Sequence, residues 1–282
     1  MTHRPRRSVL YMPGANARAL EKAKSLDADA LILDLEDSVA PDAKAEARAR
    51  VAEAVRAGGY GRREIVIRIN GLDTPWGEED IAAAAAAGPD AILVPKVSTS
   101  EDVTRAVSLM ADCKASLWVM METPLAILNA KEIAAADPWL SCFVLGTNDL
   151  VKETRARASG GRTSLVPMLT TCVLAARAFG LDVIDGVFND FKNDEGLRAE
   201  CEHGRDLGMD GKTLIHPGQL AICNEVFSPD AAEIEWSRRI IAAFAEPENA
   251  SKGVITIDGK MVERLHRDMA ERVVAIAEAI GQ

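Results

Sequence analysis

The 282 residues predict an α/β fold: a (β/α)8 TIM barrel over residues 1–228, then a C-terminal helical extension over residues 229–282 that could act as a lid. Three observations predict it. Short β-rich runs alternate eight times with longer, Ala-rich amphipathic stretches. Nearly every β-rich run finishes on a polar group able to do chemistry, as the active face of such a barrel requires. A tail with its own helices is left over once eight units are counted.

The strands are read at Ser8–Met12, Ala30–Leu35, Glu64–Asn70, Ala91–Val97, Leu117–Glu122, Cys142–Gly146, Asp182–Phe188 and Lys212–His216. Helical patterns lie near 16–26, 41–57, 77–87, 100–112, 124–135, 163–179, 194–207 and 217–226. Pro41-Asp42 opens the second helix, Ser98 to Ser100 the fourth and Thr123-Pro124 the fifth. Side-chain oxygens there can accept from unpaired first-turn N–H groups, and proline gives up no helical bond at that place. An open doubly wound sheet is the competing architecture. The tail reads as a helix near 230–246, a break from Pro247 to Ser251, a short segment Val254–Ile257 and a helix near 260–280, forming a lid, a subunit contact or both.

Composition excludes several classes of function. Hydrophobic residues make up 48%, enough for a sizeable core, yet the apolar runs are too short and too charged to span a membrane. The basic start, Met1 to Arg7, leads into the brief run Val9-Leu10-Tyr11-Met12 with no small-residue cleavage site after it, so a cytoplasmic location is expected. A net charge of −10 without a broad basic stretch argues against nucleic acid, while leaving room for an anionic cofactor at a local Arg/Lys cluster. Cys113, Cys142, Cys172, Cys201 and Cys223 form no Cys-x-x-Cys pair and read as reduced, packed thiols. Four His without metal-ligand spacing argue against a zinc hydrolase.

The strand ends carry Glu36-Asp37, Arg68 with Asn70, Lys96, Glu122, Asn148-Asp149, Asn189-Asp190 and His216. Side chains alternate faces along a strand. Ile65, Ile67 and Ile69 therefore share the helix side, and Arg68 and Asn70 point into the barrel mouth. By the same count Leu31, Leu33 and Leu35 face the helices, and Asp34 and Glu36 face inward. Charges so placed must pair or hold a metal. Glu122 and Asp149 end neighbouring strands and are the best metal candidates, because Mg²⁺ is usually held by one or two carboxylates with water and substrate completing the octahedron. Each also fits a helix N-terminal charge. Gly146-Thr147-Asn148 lets backbone N–H groups approach an anion. Lys96 could form a Schiff base with a carbonyl substrate, or simply balance the neighbouring carboxylates, which is the preferred reading. His216 either contacts a ligand or hydrogen-bonds across the mouth.

Several ordered motifs resemble the HpcH/HpaI aldolase–citrate lyase superfamily. They are Ser8-Val9-Leu10-Tyr11-Met12-Pro13-Gly14, Leu33 to Pro41, Arg68-Ile69-Asn70 with Thr74-Pro75-Trp76-Gly77, Met121-Glu122-Thr123-Pro124, Leu145 to Leu150, and Gly211 to Pro217. The similarity runs from about residue 6 to residue 270 and is nearest to the citrate lyase β-subunit (CitE)-like and malyl/citramalyl-CoA lyase branch. The resemblance implies Mg²⁺, a CoA thioester as substrate, and reversible Claisen-type cleavage of a malyl-, citramalyl- or citryl-CoA-like 3-hydroxy-3-carboxyacyl-CoA to an acyl-CoA and a 2-oxo acid.

Carried over by motif, Glu122 and Asp149 resemble the metal ligands, and Arg68 the cation that steadies the thioester enolate. Gly146, Thr147 and Asn148 resemble the cradle for the acid's carboxylate, and Glu36 and Asp37 the groups that orient Arg68 and the metal's waters. Arg18, Lys22, Lys44 and His216 are the candidate CoA contacts. The run Lys252 to Glu263 resembles a lid that reaches a neighbouring subunit in malyl-CoA-type lyases, which implies a homo-oligomer, trimer or hexamer. Where such lids carry a catalytic Asp this chain has Glu263, one methylene longer, with Asp258 as the alternative base. Three further readings stay open: a thioesterase acting on malyl- or citramalyl-CoA, where Glu263 would position water; a CoA-independent metal-dependent pyruvate aldolase; and a non-catalytic subunit of a lyase complex, against which the intact Arg68, Glu122 and Asp149 argue.

Overall fold

Alternating apolar positions in eight short runs give eight parallel strands that pair in chain order and close on themselves. They are β1 (Ser8–Pro13), β2 (Ala30–Asp34), β3 (Glu64–Arg68), β4 (Ala91–Val94), β5 (Ser116–Met121), β6 (Leu140–Leu145), β7 (Asp182–Asp185) and β8 (Gly211–Leu214), with β8 returning to β1. The expected barrel is therefore present, and the open sheet is excluded. The computed structural model describes residues 4–157 and 161–281, so Met1 to His3 of the basic N-terminal stretch lie outside the described residues.

The first four helices are α1 (Ala17–Ala23), α2 (Lys44–Ala57), α3 (Gly77–Ala87) and α4 (Ser100–Met110). The Thr99 hydroxyl accepts the N–H of Asp102 and the Asp102 carboxylate accepts the N–H of Thr99, which fixes the start of α4. Where one helix near 124–135 is expected there are two short ones, α5 (Pro124–Leu128) and α6 (Ala130–Ala134), broken at Asn129. The Asn129 side-chain amide donates to the carbonyl of Ser98. An unexpected helix, α7 (Thr147–Thr154), grows directly from the glycine turn after β6. Then come α8 (Val166–Phe179), α9 (Asp194–Asp206) and α10 (Leu220–Val226).

Strand parity explains both faces of the barrel. Leu31 and Leu33 point outward and are fully buried beneath helices, while Val9, Ile32, Val66, Leu93, Val144 and Ile184 fill the interior. Each such side chain contributes about 1.5–3 kcal/mol by burial. The N-terminal end is plugged by Arg6, whose guanidinium pairs with Glu64 at 2.7 Å and Asp182 at 2.6 Å and lies 4.7 Å over the Trp118 ring. Behind β7 and β8, Lys212 joins Asp185 at 3.0 Å and Glu200 at 2.6 Å, and Arg162 meets Asp185 at 2.8 Å. Breaking such a buried lattice at one partner costs about 3–5 kcal/mol. It ties α9 to the two strands whose loops border the open C-terminal end.

The chain divides into two compact units, one of Arg6–Glu225 and a smaller one from Val226 onward that also takes in Arg4 and Pro5. The smaller unit contains α11 (Ala231–Ala245), a hairpin of β9 (Val254–Ile257) and β10 (Lys260–Glu263), and α12 (Arg264–Ile280) around Ile240, Phe244, Ile255, Val262 and Ala270. The last helix was expected near 260. Its first four residues are strand instead, because Asp258 and Gly259, with φ of 51° and 75°, form the turn that matches hairpin twist and set Val262 opposite Ile255. Among the described residues, no helix is long and apolar enough to cross a membrane.

Candidate active site

The β2–β3 register places Asp34 opposite Arg68, both pointing into the mouth. Arg68 Nε donates to Asp34 Oδ1 at 2.7 Å and Nη2 to Oδ2 at 2.9 Å, a two-pronged pair with both side chains buried. The backbone N–H groups of Glu36 and Ser38 also donate to Asp34. Burial pushes the Asp34 carboxyl up, but the guanidinium and these donors outweigh it and hold it below the usual carboxylate range. The third arm, Nη1, reaches Glu36 at 2.8 Å and Asp37 at 3.2 Å, and the guanidinium lies 4.7 Å from the Tyr11 ring. Glu36 is pushed up to about 8, chiefly by burial, with Asp37 and Glu122 adding to the shift and Arg68 opposing it.

On the neighbouring side, Glu122 follows β5 and is 2% exposed, and Asp149 sits in the first turn of α7. Lys96 links them: its N–H donates to Glu122 Oε1 at 2.8 Å, and its ammonium lies 2.5 Å from Asp149 Oδ1 and 3.6 Å from Glu122 Oε1. Lys96 holds a left-handed backbone, φ 57°, sparsely populated by non-glycine residues. Burial raises the Glu122 carboxyl, with Lys96 pulling the other way. Gly146 makes the arrangement possible, because a Cβ there would come 2.3 Å from Glu122 Cβ and 2.5 Å from Oε2.

Among the described residues, no three His, Cys, Asp or Glu side chains converge as a complete metal cage. The two carboxylates nevertheless fit a magnesium ion. They are hard oxygen donors, one just after β5 and one in the first turn of the helix that follows β6, they already hold a cation between them, and a two-carboxylate site leaves the remaining positions for water and substrate.

A cavity of about 300 Å³ joins the two halves, with Arg68, Asp34, Asp149 and Gly146 to Asn148 in its wall. Met120, Val187 and Ile215 give it an apolar side. Asn148 and Asn189 exchange amide hydrogen bonds at 3.2 and 2.8 Å, bridging the loops after β6 and β7 at the rim.

Arg68, Glu36, Asp37, Asp149, Gly146, Thr147 and Asn148 thus gather around this mouth, and Lys96 connects Glu122 to it. Asn70 does not join them, since its amide is spent on Asp80 of α3 at 2.6 Å and the Leu35 carbonyl. Lys44 is buried and donates to the carbonyls of Leu35 at 2.9 Å and Glu36 at 2.7 Å, bracing the β2 loop from behind. Arg18 and Lys22 are exposed on α1. His216 is exposed, stacks on Phe191 at 5.0 Å and accepts the N–H of Gly218. Glu263 belongs to the smaller unit, where its N–H donates to His266 at 2.9 Å to start α12, and Asp258 pairs there with Arg239. The sequence places Asp34 inward without naming its partner, and gives Tyr11 no role. The inward parity of Asp34 was the available signal, and only the strand register turns it into a clamp on Arg68.

Residues 7–217 match the HpcH/HpaI aldolase/citrate lyase family. The chain is 55% identical over 277 residues to (3S)-malyl-CoA thioesterase of Cereibacter sphaeroides, covering 98% of this chain and 96% of that one. It is 35% identical over 287 residues to citrate lyase subunit beta of Escherichia coli, covering 99% and 95%. Among solved structures, protein CitE from Mycobacterium tuberculosis in complex with magnesium, acetoacetate and coenzyme A superposes with a TM-score of 0.79 at 27% identity, covering 100% of both chains.

Proposed function

We propose that this chain, which belongs to the HpcH/HpaI aldolase/citrate lyase family, hydrolyses a malyl-CoA-type thioester to CoA and the corresponding hydroxy acid, with Mg²⁺ held at the barrel mouth. The observation that carries the reading is the shared cavity: a guanidinium locked by Asp34 on one wall, and Asp149 with the Gly146 turn on the other. A 2-hydroxy acid joined to a thioester needs both walls at once. The choice of hydrolysis is supported by the 55% identical relative, a (3S)-malyl-CoA thioesterase, and by Glu263 where lyase-type lids carry the shorter Asp.

Glu122 and Asp149 would hold the ion, which when bound polarises the substrate's hydroxyl and carboxylate oxygens. Arg68 receives the charge that develops on the thioester oxygen as water attacks the carbonyl carbon and the C–S bond breaks. Removing a fixed donor of this kind lowers turnover about 10²–10³-fold. Glu36 and Asp37 keep the free arm of Arg68 aimed, and the first-turn N–H groups of Thr147 and Asn148 receive the acid's carboxylate, while the Gly146 N–H is spent on the Met121 carbonyl at 3.2 Å. Glu263 is the proton carrier contributed by the C-terminal extension, in a homo-oligomer where that extension serves a neighbouring barrel. Arg18, Lys22 and His216 are the proposed CoA contacts.

Claisen cleavage is the second reading, favoured by the 35% identical citrate lyase subunit and by the same Arg68, which suits an enolate oxygen equally well. Products separate the two. With (3S)-malyl-CoA and Mg²⁺, hydrolysis releases a free CoA thiol and malate, whereas cleavage releases acetyl-CoA and glyoxylate with no free thiol. Thiol release in step with malate supports the proposal, acetyl-CoA in step with glyoxylate supports the second reading, and the absence of all four products refutes both.

A further inference from the structure

We propose that Lys96 is a built-in counter-ion lodged where the divalent ion binds, and that its ammonium must swing out before the ion can enter. The inference rests on the reading of Glu122 and Asp149 as the ion's ligands. Its ammonium lies 2.5 Å from Asp149 Oδ1 and 3.6 Å from Glu122 Oε1, which is the space a cation drawn by both carboxylates would take. Two positive charges cannot share that space, since their repulsion rises steeply at such separations inside a protein.

The local structure suits a side chain that moves while its backbone stays. The Lys96 N–H is fixed on Glu122 Oε1 at 2.8 Å, which anchors the main chain independently of the ammonium. The φ of 57° is a strained conformation for lysine, and such conformations persist where the surroundings over-determine them. The side chain has an exit: it is 37% exposed, beside a Glu122 that is only 2% exposed. Its flexible four-carbon stem can carry the ammonium toward solvent without moving the strand. In the metal-free chain the same ammonium offsets two carboxylates, one of them almost fully buried, that would otherwise repel each other. Lys96 therefore sets metal affinity as a balance between displacement of the ammonium and coordination of the ion.

The test is calorimetric titration of MgCl₂ into the chelator-stripped full chain, comparing the unaltered protein with Lys96→Met, Lys96→Arg and Glu122→Gln. Lys96→Gln replaces the Met variant if the latter does not fold. The expected result is Mg²⁺ binding about tenfold tighter in the neutral variant, with Lys96→Arg close to the unaltered chain because the competing charge is kept. The neutral variant should also melt lower without metal and gain more in melting temperature on adding Mg²⁺, which loss of a purely structural contact would not produce. No binding to the unaltered chain, or binding that survives Glu122→Gln, sinks the site and this inference with it. Binding that depends on Glu122 but is unchanged or weaker in the neutral variant overturns the role of Lys96 alone.

Discussion

Asp34 and Arg68 stand opposite each other in the β2–β3 register and share two hydrogen bonds, Nε to Oδ1 at 2.7 Å and Nη2 to Oδ2 at 2.9 Å. This pairing leaves only Nη1 for Glu36, Asp37 and the cavity. Asp34→Ala would leave a buried guanidinium without its main counter-charge, and we expect a stability loss of about 3–5 kcal/mol by denaturant unfolding. Arg68→Lys keeps the charge but cannot make both prongs, and turnover on a malyl-CoA-type thioester should fall about 10²–10³-fold. Unchanged kinetics in Arg68→Lys would show that the fork is not used.

Gly146 admits Glu122 because it has no side chain. A Cβ there would stand 2.3 Å from Glu122 Cβ and 2.5 Å from Oε2. Gly146→Ala should push the Glu122 carboxylate aside, lower stability by about 1–3 kcal/mol as overpacking does, and weaken Mg²⁺ binding with it. Thermal melts with and without Mg²⁺ check both effects, and a variant with normal metal affinity would contradict the packing argument.

Glu36 predicts a pH dependence for the metal-free chain. Burial, with help from Asp37 and Glu122, pushes its carboxyl up to about 8 against the pull of Arg68. An unfolded glutamate titrates near about 4.3. Between those values the folded chain holds a proton that the unfolded chain has released, so this contribution is fully present below the unfolded value and is lost as pH rises through about 8. Glu36→Gln mimics the protonated form and should flatten that decline. Melting curves in chelator from about pH 5 to about pH 9 test it, and parallel profiles for the two proteins would refute it.

The barrel was readable from sequence because its cause is local: alternation in strands, longer amphipathic runs between them, and polar groups at one end. Parity placed Arg68 and strand order placed Glu122, while Asp149, expected at a strand end, sits in the first turn of α7. What escaped depended on register or on side chains reaching across elements. Asp34 was placed on the inner face but became a clamp only once its partner was seen to be Arg68. Lys44 was a candidate CoA contact, but its ammonium is turned onto the Leu35 and Glu36 carbonyls. Helix α7 was hidden because Gly146-Thr147-Asn148 reads equally well as a turn, and the first residues of the expected last helix became β10 because the Asp258-Gly259 turn overrides local helical preference.

The most direct measurement is the anomalous scattering of a crystal soaked with Mn²⁺, a close substitute for Mg²⁺ at oxygen ligands. The account predicts one strong peak at the barrel mouth, in coordinating contact with carboxylate oxygens of both Glu122 and Asp149 and facing the Arg68 guanidinium across the cavity. A peak elsewhere, or none between those two residues, would contradict it.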